Sequence, residues 1–348
     1  MKVAFTLGGD YNSFTVQLQY QRQQEVVIMT ATAVHIHTVT GMLPPDKISH
    51  CQCHEHLFLA QAKPAQISPV LCIDDFGKTV QEIERYKLAG GSALVDAQPL
   101  GCGRMADALV DASLQTGLPI IASTGFHKLN FYWDNHWIHQ YDEQRLTDIF
   151  VGELTEGMYI NVDDSEPREQ VAAKAGIIKT AVGPSGMVGS YVKCFAAAAE
   201  AAIRTGAPLQ CHMEPNVDPL EIIRFFVERG VAPSSLYMCH LDRTHYDLAL
   251  HEQVAHTGVY LEYDTIGRFK YHSDDSEAAL IKHMIGKGYV RQLLLSLDTT
   301  RQRLHSYGGE IGLDYLLATF LPKLAAEGVS GDDIRQMTVW NPRKALAY

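Results

Sequence analysis

The stretch CQCHEHLFLA, residues 51–60, sets two cysteines and two histidines within six positions. It admits a zinc-finger fragment, half of a metalloprotease signature, or one strand of a larger site. Spacing decides among these. A zincin needs H-E-x-x-H so that a helix brings both imidazoles to one face, whereas only Glu55 separates His54 from His56. Residues two apart share a face only on a β-strand. A structural zinc site would need a second paired cluster, and Cys72, Cys102, Cys194, Cys211 and Cys239 stand singly. Cys51 and Cys53 therefore read as non-ligands, and a metal on His54 and His56 must draw its other ligands from far along the chain.

Outward from this strand the chain alternates. Strand-like runs at 51–58, 93–97, 119–125, 176–182, 209–214, 236–241, 260–264 and 292–298 are separated by amphipathic stretches at 74–88, 104–116, 143–156, 191–204, 220–228 and 275–285, with a last one at 313–325. Most of these stretches end at a glycine, the usual helix stop. The count predicts an α/β fold, a (β/α)8 TIM barrel over residues 34–348. A doubly wound sheet is disfavoured because no G-x-G-x-x-G or P-loop follows the first strand. Residues 1–33, rich in Gln and β-branched side chains, read as a short N-terminal β extension, with a natural start nearer Met29 as the alternative.

Of the 348 residues, 46% are hydrophobic and 20% charged, as in an ordinary globular protein. A formal net charge of −11 disfavours nucleic acid as a partner. The longest apolar runs fall short of the roughly 20 residues that a bilayer requires, so no membrane partner is expected. Seven cysteines without framework spacing, in a chain lacking an export signal, point to a cytoplasmic location.

Barrel enzymes build their sites at the C-terminal ends of strands. Strand one carries His54 and His56, strand four Lys179, strand five His212, strand six His240 and strand eight Asp298, each after two or more apolar positions. A single buried histidine is commonplace; six metal-capable residues at matching places on five strands are not. Cys53, Cys211 and Cys239 each precede one of these residues, so strand alternation predicts that the thiols face the helices. A second H-x-H, His35 and His37, lacks the apolar continuation and reads as part of an N-terminal strand.

These residues, with the segments TVTGMLPPDK, CHEHL, VDAQPLGCGR, ASTGF, AGIIKTA, QCHME, MCHLDR, LSLD and WNPRKAL, give the chain a resemblance to the phosphotriesterase-related branch of the amidohydrolase superfamily, including its phosphotriesterase-like lactonases. The resemblance covers almost everything after the first 35 or so residues. It implies a (β/α)8 barrel with two divalent metal ions, zinc being the expected occupant. His54, His56 and Asp298 would hold one ion, His212 and His240 the other, and a carboxylated Lys179 would bridge them. Carboxylation has a chemical rationale: an ammonium cannot ligate a cation, whereas a neutral buried amine can take up carbon dioxide. Asp298 would also be the catalytic acid/base, and a homodimer is expected by analogy.

The constellation fits hydrolysis of an ester, a lactone or a phosphoester, and the loops carry the choice. His127 and Lys128 follow TGF where many lactonase relatives have Tyr, and the run 130–139 is polar and aromatic, unsuited to an acyl chain. The loops after strands seven and eight, DTIGRFKY and TTRQRLHSYGG, supply Arg268, Lys270, Arg301 and Arg303 as candidate substrate-binding residues. The expected function is a metal-dependent lactonase acting on small polar or phosphorylated sugar lactones, with a phosphotriesterase as the near alternative. Alternatives of another class are a non-catalytic barrel that binds metal and a sugar phosphate, and an aldolase using Lys179 as a Schiff base. A Schiff base would leave the strand-end histidines without a task.

Overall fold

The computed structural model describes residues 34–348, and the expected extension over 1–33 lies outside them. The described chain opens with an antiparallel hairpin, β1 (Ile36–Thr38) and β2 (Gly41–Leu43). Next come β3 (Cys51–Glu55), β4 (Ala93–Asp96) and β5 (Ile120–Gly125), then a small antiparallel pair, β6 (Met158–Ile160) and β7 (Glu169–Val171). The last strands are β8 (Ile177–Ala181), β9 (Leu209–His212), β10 (Leu236–Cys239), β11 (Tyr260–Tyr263) and β12 (Leu293–Leu295). Eight of them form one parallel sheet in the order β3-β4-β5-β8-β9-β10-β11-β12. Every residue of these eight is buried, as a sheet covered on both faces requires.

Helices cross between the strands, which is what parallel pairing demands. They are Phe76–Leu88, Ala106–Thr116, Glu143–Thr155, Ser190–Thr205, Pro219–Glu228, Leu248–His256 and Asp274–Gly286. Gly117 and Gly206, with φ of 67° and 80°, close two of them in the left-handed conformation. The helix Leu248–His256 was not expected from the sequence, where its short run LALHEQVAH shows only a weak apolar stripe. The stretch expected at 313–325 is interrupted: a π-helical turn, Leu316–Phe320, precedes Leu321–Ala326, because Pro322 has no N–H to continue an α-helical ladder. No described helix is long and apolar enough to cross a membrane.

The sheet closes at β12 and β3 largely through side chains. Asp298 N–H donates to the His54 carbonyl (3.2 Å) and His54 N–H to Ser296 Oγ (3.0 Å). The Glu55 carboxylate accepts from the Leu297 N–H (2.8 Å), the Thr299 N–H (3.2 Å) and the Thr299 hydroxyl (2.8 Å). Alternate strand residues, among them Leu94, Ile120, Ile178, Met238 and Leu293, belong to the large core shared with the helices. The intervening set, including Cys51, Cys53, Val95, Ile121, Ile177, Tyr237, Tyr260 and Leu294, packs with Ile36, Ala345 and Leu346 as an interior plug. The histidines lie beyond this plug, at the C-terminal ends of the strands.

Candidate metal centre

Lys179 is fully buried, and its neighbour strand makes room for it. Gly125 pairs with Lys179 across β5 and β8 at a φ of 87°, and a Cβ there would fall 2.0 Å from the Lys179 carbonyl oxygen. Lys179 Nζ donates to Gln210 Oε1 (3.0 Å) and lies 3.1 Å from His54 Nε2. On the other side of that imidazole, His54, His56 and Asp298 offer donor atoms all within 4.8 Å of one another. His56 Nε2 is 3.4 Å from Asp298 Oδ1, and His54 Nε2 is 3.8 Å from it. From β9 and the end of β10, His212 Nδ1 and His240 Nε2 meet at 2.7 Å. The fold thus brings all six expected ligand residues to one end of the barrel.

The outer nitrogens of His212 and His240 each meet a carboxylate. His240 Nδ1–H donates to Asp264 Oδ1 (2.6 Å), and Asp264 Oδ2 accepts the His240 backbone N–H (3.1 Å). His54 Nδ1 is 3.0 Å from Asp264 Oδ2, off the line of a hydrogen bond. His212 Nε2–H donates to Glu214 (3.1 Å), which Lys128 holds at 2.9 Å. Burial, helped by Arg243, keeps His212 and His240 well below the usual imidazole range, so both rings are neutral. A neutral ring whose outer nitrogen holds the proton has only a lone pair on the inner one. Two lone pairs therefore face each other at 2.7 Å, an arrangement that suits a cation's ligands. His54, held down to about 4 by burial and Lys179, fits the same set.

Asp298 divides its oxygens. Oδ1 faces the imidazoles, while Oδ2 contacts Arg268 and, at 3.2 Å, Arg243. Burial opposes its charge, yet Arg268 and the neighbouring histidines hold its carboxyl well below the usual carboxylate range. Both Asp298 (φ 47°) and His240 (φ 64°) are left-handed, so the backbone is strained at two of the expected ligand positions.

That strain corrects the expectation for the thiols. Cys211 does pack outward with the core shared by the helices. Cys53 and Cys239 do not: Cys53 joins the interior plug, and Cys239 Sγ lies 3.1 Å from the interior carboxylate of Glu262. The left-handed turn at His240 and the irregular register between Gln52 and Glu55 break the two-residue alternation, so thiol and imidazole both point inward. His37 lies in β1 and stacks on Tyr348, and no three-donor group among the described residues includes it or His35.

The four expected substrate-binding cations separate. Arg303 is buried, with its guanidinium donating to the carbonyls of Asp298 (3.1 Å) and Ile266 (2.8 Å), so it staples two loops and is not free to bind substrate. Arg301 stacks on Tyr307 at 5.0 Å, away from the contacts of Asp298. Arg268 and Lys270 do converge, 5.5 and 4.7 Å from the Tyr271 ring, and Arg243 joins them at 4.8 Å. Arg243 and Asp264 were missed in the sequence. Asp264 ends an apolar strand by the same rule that found Asp298; Arg243 had no signal beyond its place in MCHLDR.

The chain matches the Phosphotriesterase family over residues 34–346. It is 30% identical over 326 residues to a phospho-furanose lactonase of Mycoplasmopsis synoviae, an alignment covering 89% of this chain and 91% of that one. Among solved structures, an amidohydrolase from Mycoplasma synoviae superposes with a TM-score of 0.86 at 29% identity, covering 91% of this chain and 93% of the other. The phosphotriesterase homology protein of Escherichia coli, crystallised with phosphate in its active site, superposes with a TM-score of 0.78 at 26% identity, covering 86% and 99%.

Proposed function

Because the chain belongs to the phosphotriesterase family and is a hydrolase of ester bonds, we propose that it opens small polar or phosphorylated sugar lactones, using two zinc ions and a carboxylated Lys179. The observation that carries the metal part is the pair of inward ring nitrogens of His212 and His240 at 2.7 Å, each ring anchored from behind by a carboxylate. His54, His56 and Asp298 would hold one ion, His212 and His240 the other, with Lys179 between them. When bound, such ions polarise an ester carbonyl and acidify water.

The remaining work falls to the chain. Asp298 is an ionised carboxylate positioned to accept the proton of the attacking water and return it to the leaving oxygen. Arg243 and Arg268 flank its Oδ2. With Lys270 and the Tyr271 ring they form a cationic cluster beside the reacting groups, in a protein whose net charge of −11 would otherwise repel an anion. A phosphorylated substrate matches that cluster. The name of the Mycoplasmopsis relative and the phosphate held by the Escherichia coli protein support this choice.

The test is a substrate panel with the zinc-loaded enzyme: a phosphorylated furanolactone, a neutral lactone of the same ring and an aryl phosphotriester. The first should be preferred. Lys270→Met is the informative variant, because Lys270 is exposed and makes no ion pair among the described residues. Loss of a charged contact of about 1.5–3 kcal/mol should raise KM for the phosphorylated lactone roughly ten- to a hundredfold, with kcat and the neutral lactone little changed. Preference for the triester or the neutral lactone would overturn the substrate assignment and leave the hydrolase.

A further inference from the structure

Behind the metal centre lies a second group of ligand-type side chains that the hydrolytic reading does not use. Asp242, His272 and Glu277 are each fully buried, and their donor atoms lie within 4.8 Å of one another. Asp242 follows β10, His272 ends the loop after β11, and Glu277 is in the first turn of the helix Asp274–Gly286. His272 Nε2 is 3.1 Å from Glu277 Oε2, 3.9 Å from Asp242 Oδ2 and 2.9 Å from Thr265 Oγ1. Its other nitrogen, Nδ1, is 3.2 Å from the Ser273 carbonyl, which can only accept. That contact leaves Nε2 turned toward the carboxylates.

The carboxylates are short of partners. Asp242 Oδ2 accepts the Thr265 N–H at 2.6 Å, but Asp242 Oδ1 and both oxygens of Glu277 are buried without a hydrogen bond. Among the described residues neither acid pairs with a lysine or arginine; His272 is the sole basic contact of each. Three carboxyl oxygens thus lie buried beside one imidazole without a hydrogen-bond partner, and buried polar atoms are normally hydrogen-bonded or bound to metal. Spacing points the same way. Tetrahedral ligands about 2.0–2.1 Å from a divalent ion stand about 3.3 Å apart, and the 3.1 and 3.9 Å separations bracket that value.

We propose that Asp242, His272 and Glu277, with Thr265 Oγ1 beside them, hold a third divalent cation of the zinc class, separate from the catalytic pair. The ion ties the loop after β10 to the loop and helix after β11, the two segments that supply Arg243, Arg268 and Lys270. It takes Nε2 of His272 as its nitrogen ligand and gives the carboxyl oxygens of Asp242 and Glu277 a partner.

The experiment saturates the full chain with Zn2+, removes loosely bound ion by desalting, and counts zinc per chain for the wild type, Glu277→Gln and His272→Gln. Three zincs are expected in the wild type and two in each variant, with lactone hydrolysis retained by the variants. Anomalous scattering at the zinc edge from wild-type crystals should place one peak among the three side chains. Two zincs in the wild type with no anomalous peak there overturn the proposal, as do variants that keep all three. Either variant could fold poorly, and the wild-type anomalous map decides the matter without them. Peaks at the histidine centre are read separately, so failure here leaves the hydrolase reading standing.

Discussion

Replacing Asp264 with Asn should weaken the metal centre without touching a ligand. The carboxylate holds His240 twice, through the ring at 2.6 Å and the backbone N–H at 3.1 Å, and lies 3.0 Å from His54 Nδ1. An amide of the same shape keeps one acceptor oxygen and turns an NH2 toward a group that also donates. At least one of these contacts becomes repulsive. Losing a hydrogen bond to a charged partner is worth about 1.5–3 kcal/mol, or roughly ten- to a hundredfold, the range seen when a carboxylate behind a metal-bound histidine is removed. Because one aspartate serves a ring from each expected set of ligands, both ions should be affected, the one on His212 and His240 more. Competition with a colorimetric zinc chelator measures this directly, and activity should return as free zinc is raised. Wild-type affinity at both sites in Asp264→Asn would refute the view that Asp264 orients these rings.

Lys179→Ala should lose zinc and activity together, and a short carboxylic acid added to the medium should partly restore both; borohydride trapping of substrate on Lys179 would favour the Schiff-base alternative. Cys211→Ala should lower stability by about 1–2 kcal/mol with turnover unchanged, as a small truncation in the outer core does, and Cys239→Ala should lower it further because Glu262 loses a donor. His50 is held down to about 4 by burial, against 6.5 in an unfolded chain. Between those values the unfolded chain takes up a proton that the fold refuses, so this contribution is present above pH 6.5 and lost as pH falls toward 4. In urea titrations of metal-free protein, His50→Gln should flatten the dependence of stability on pH in that window by up to one proton, about 1.4 kcal/mol per pH unit at most.

The barrel, and the set of strand-end residues it gathers at one end, were legible because they obey local rules. A parallel strand buried on both faces is a short apolar run, and a histidine, lysine or aspartate at its end stands out. What the sequence hid depends on backbone geometry or on distance. Cys239 and His240 point the same way only because His240 is left-handed, which no two-residue pattern announces. Arg301 and Arg303 look alike in TTRQRLHSYGG, yet one stacks on Tyr307 while the other is consumed by carbonyls of two loops. Asp264 was within reach of the strand-end rule. Arg243 acquires meaning only when Tyr271, 28 positions later by numbering (271 − 243), is folded against it.

The side-chain seam between β3 and β12 has a bearing on biosynthesis. His54 and Ser296, bonded across it, are 242 residues apart in sequence, and Asp298 joins the same junction. A nascent chain presents His54 and His56 early, then must be completed almost to its end before Asp298 can dock beside them. Contacts so distant in sequence form late. Full metal loading therefore belongs to the finished chain, and a truncated product ending before β12 should capture zinc poorly even if its earlier strands have paired.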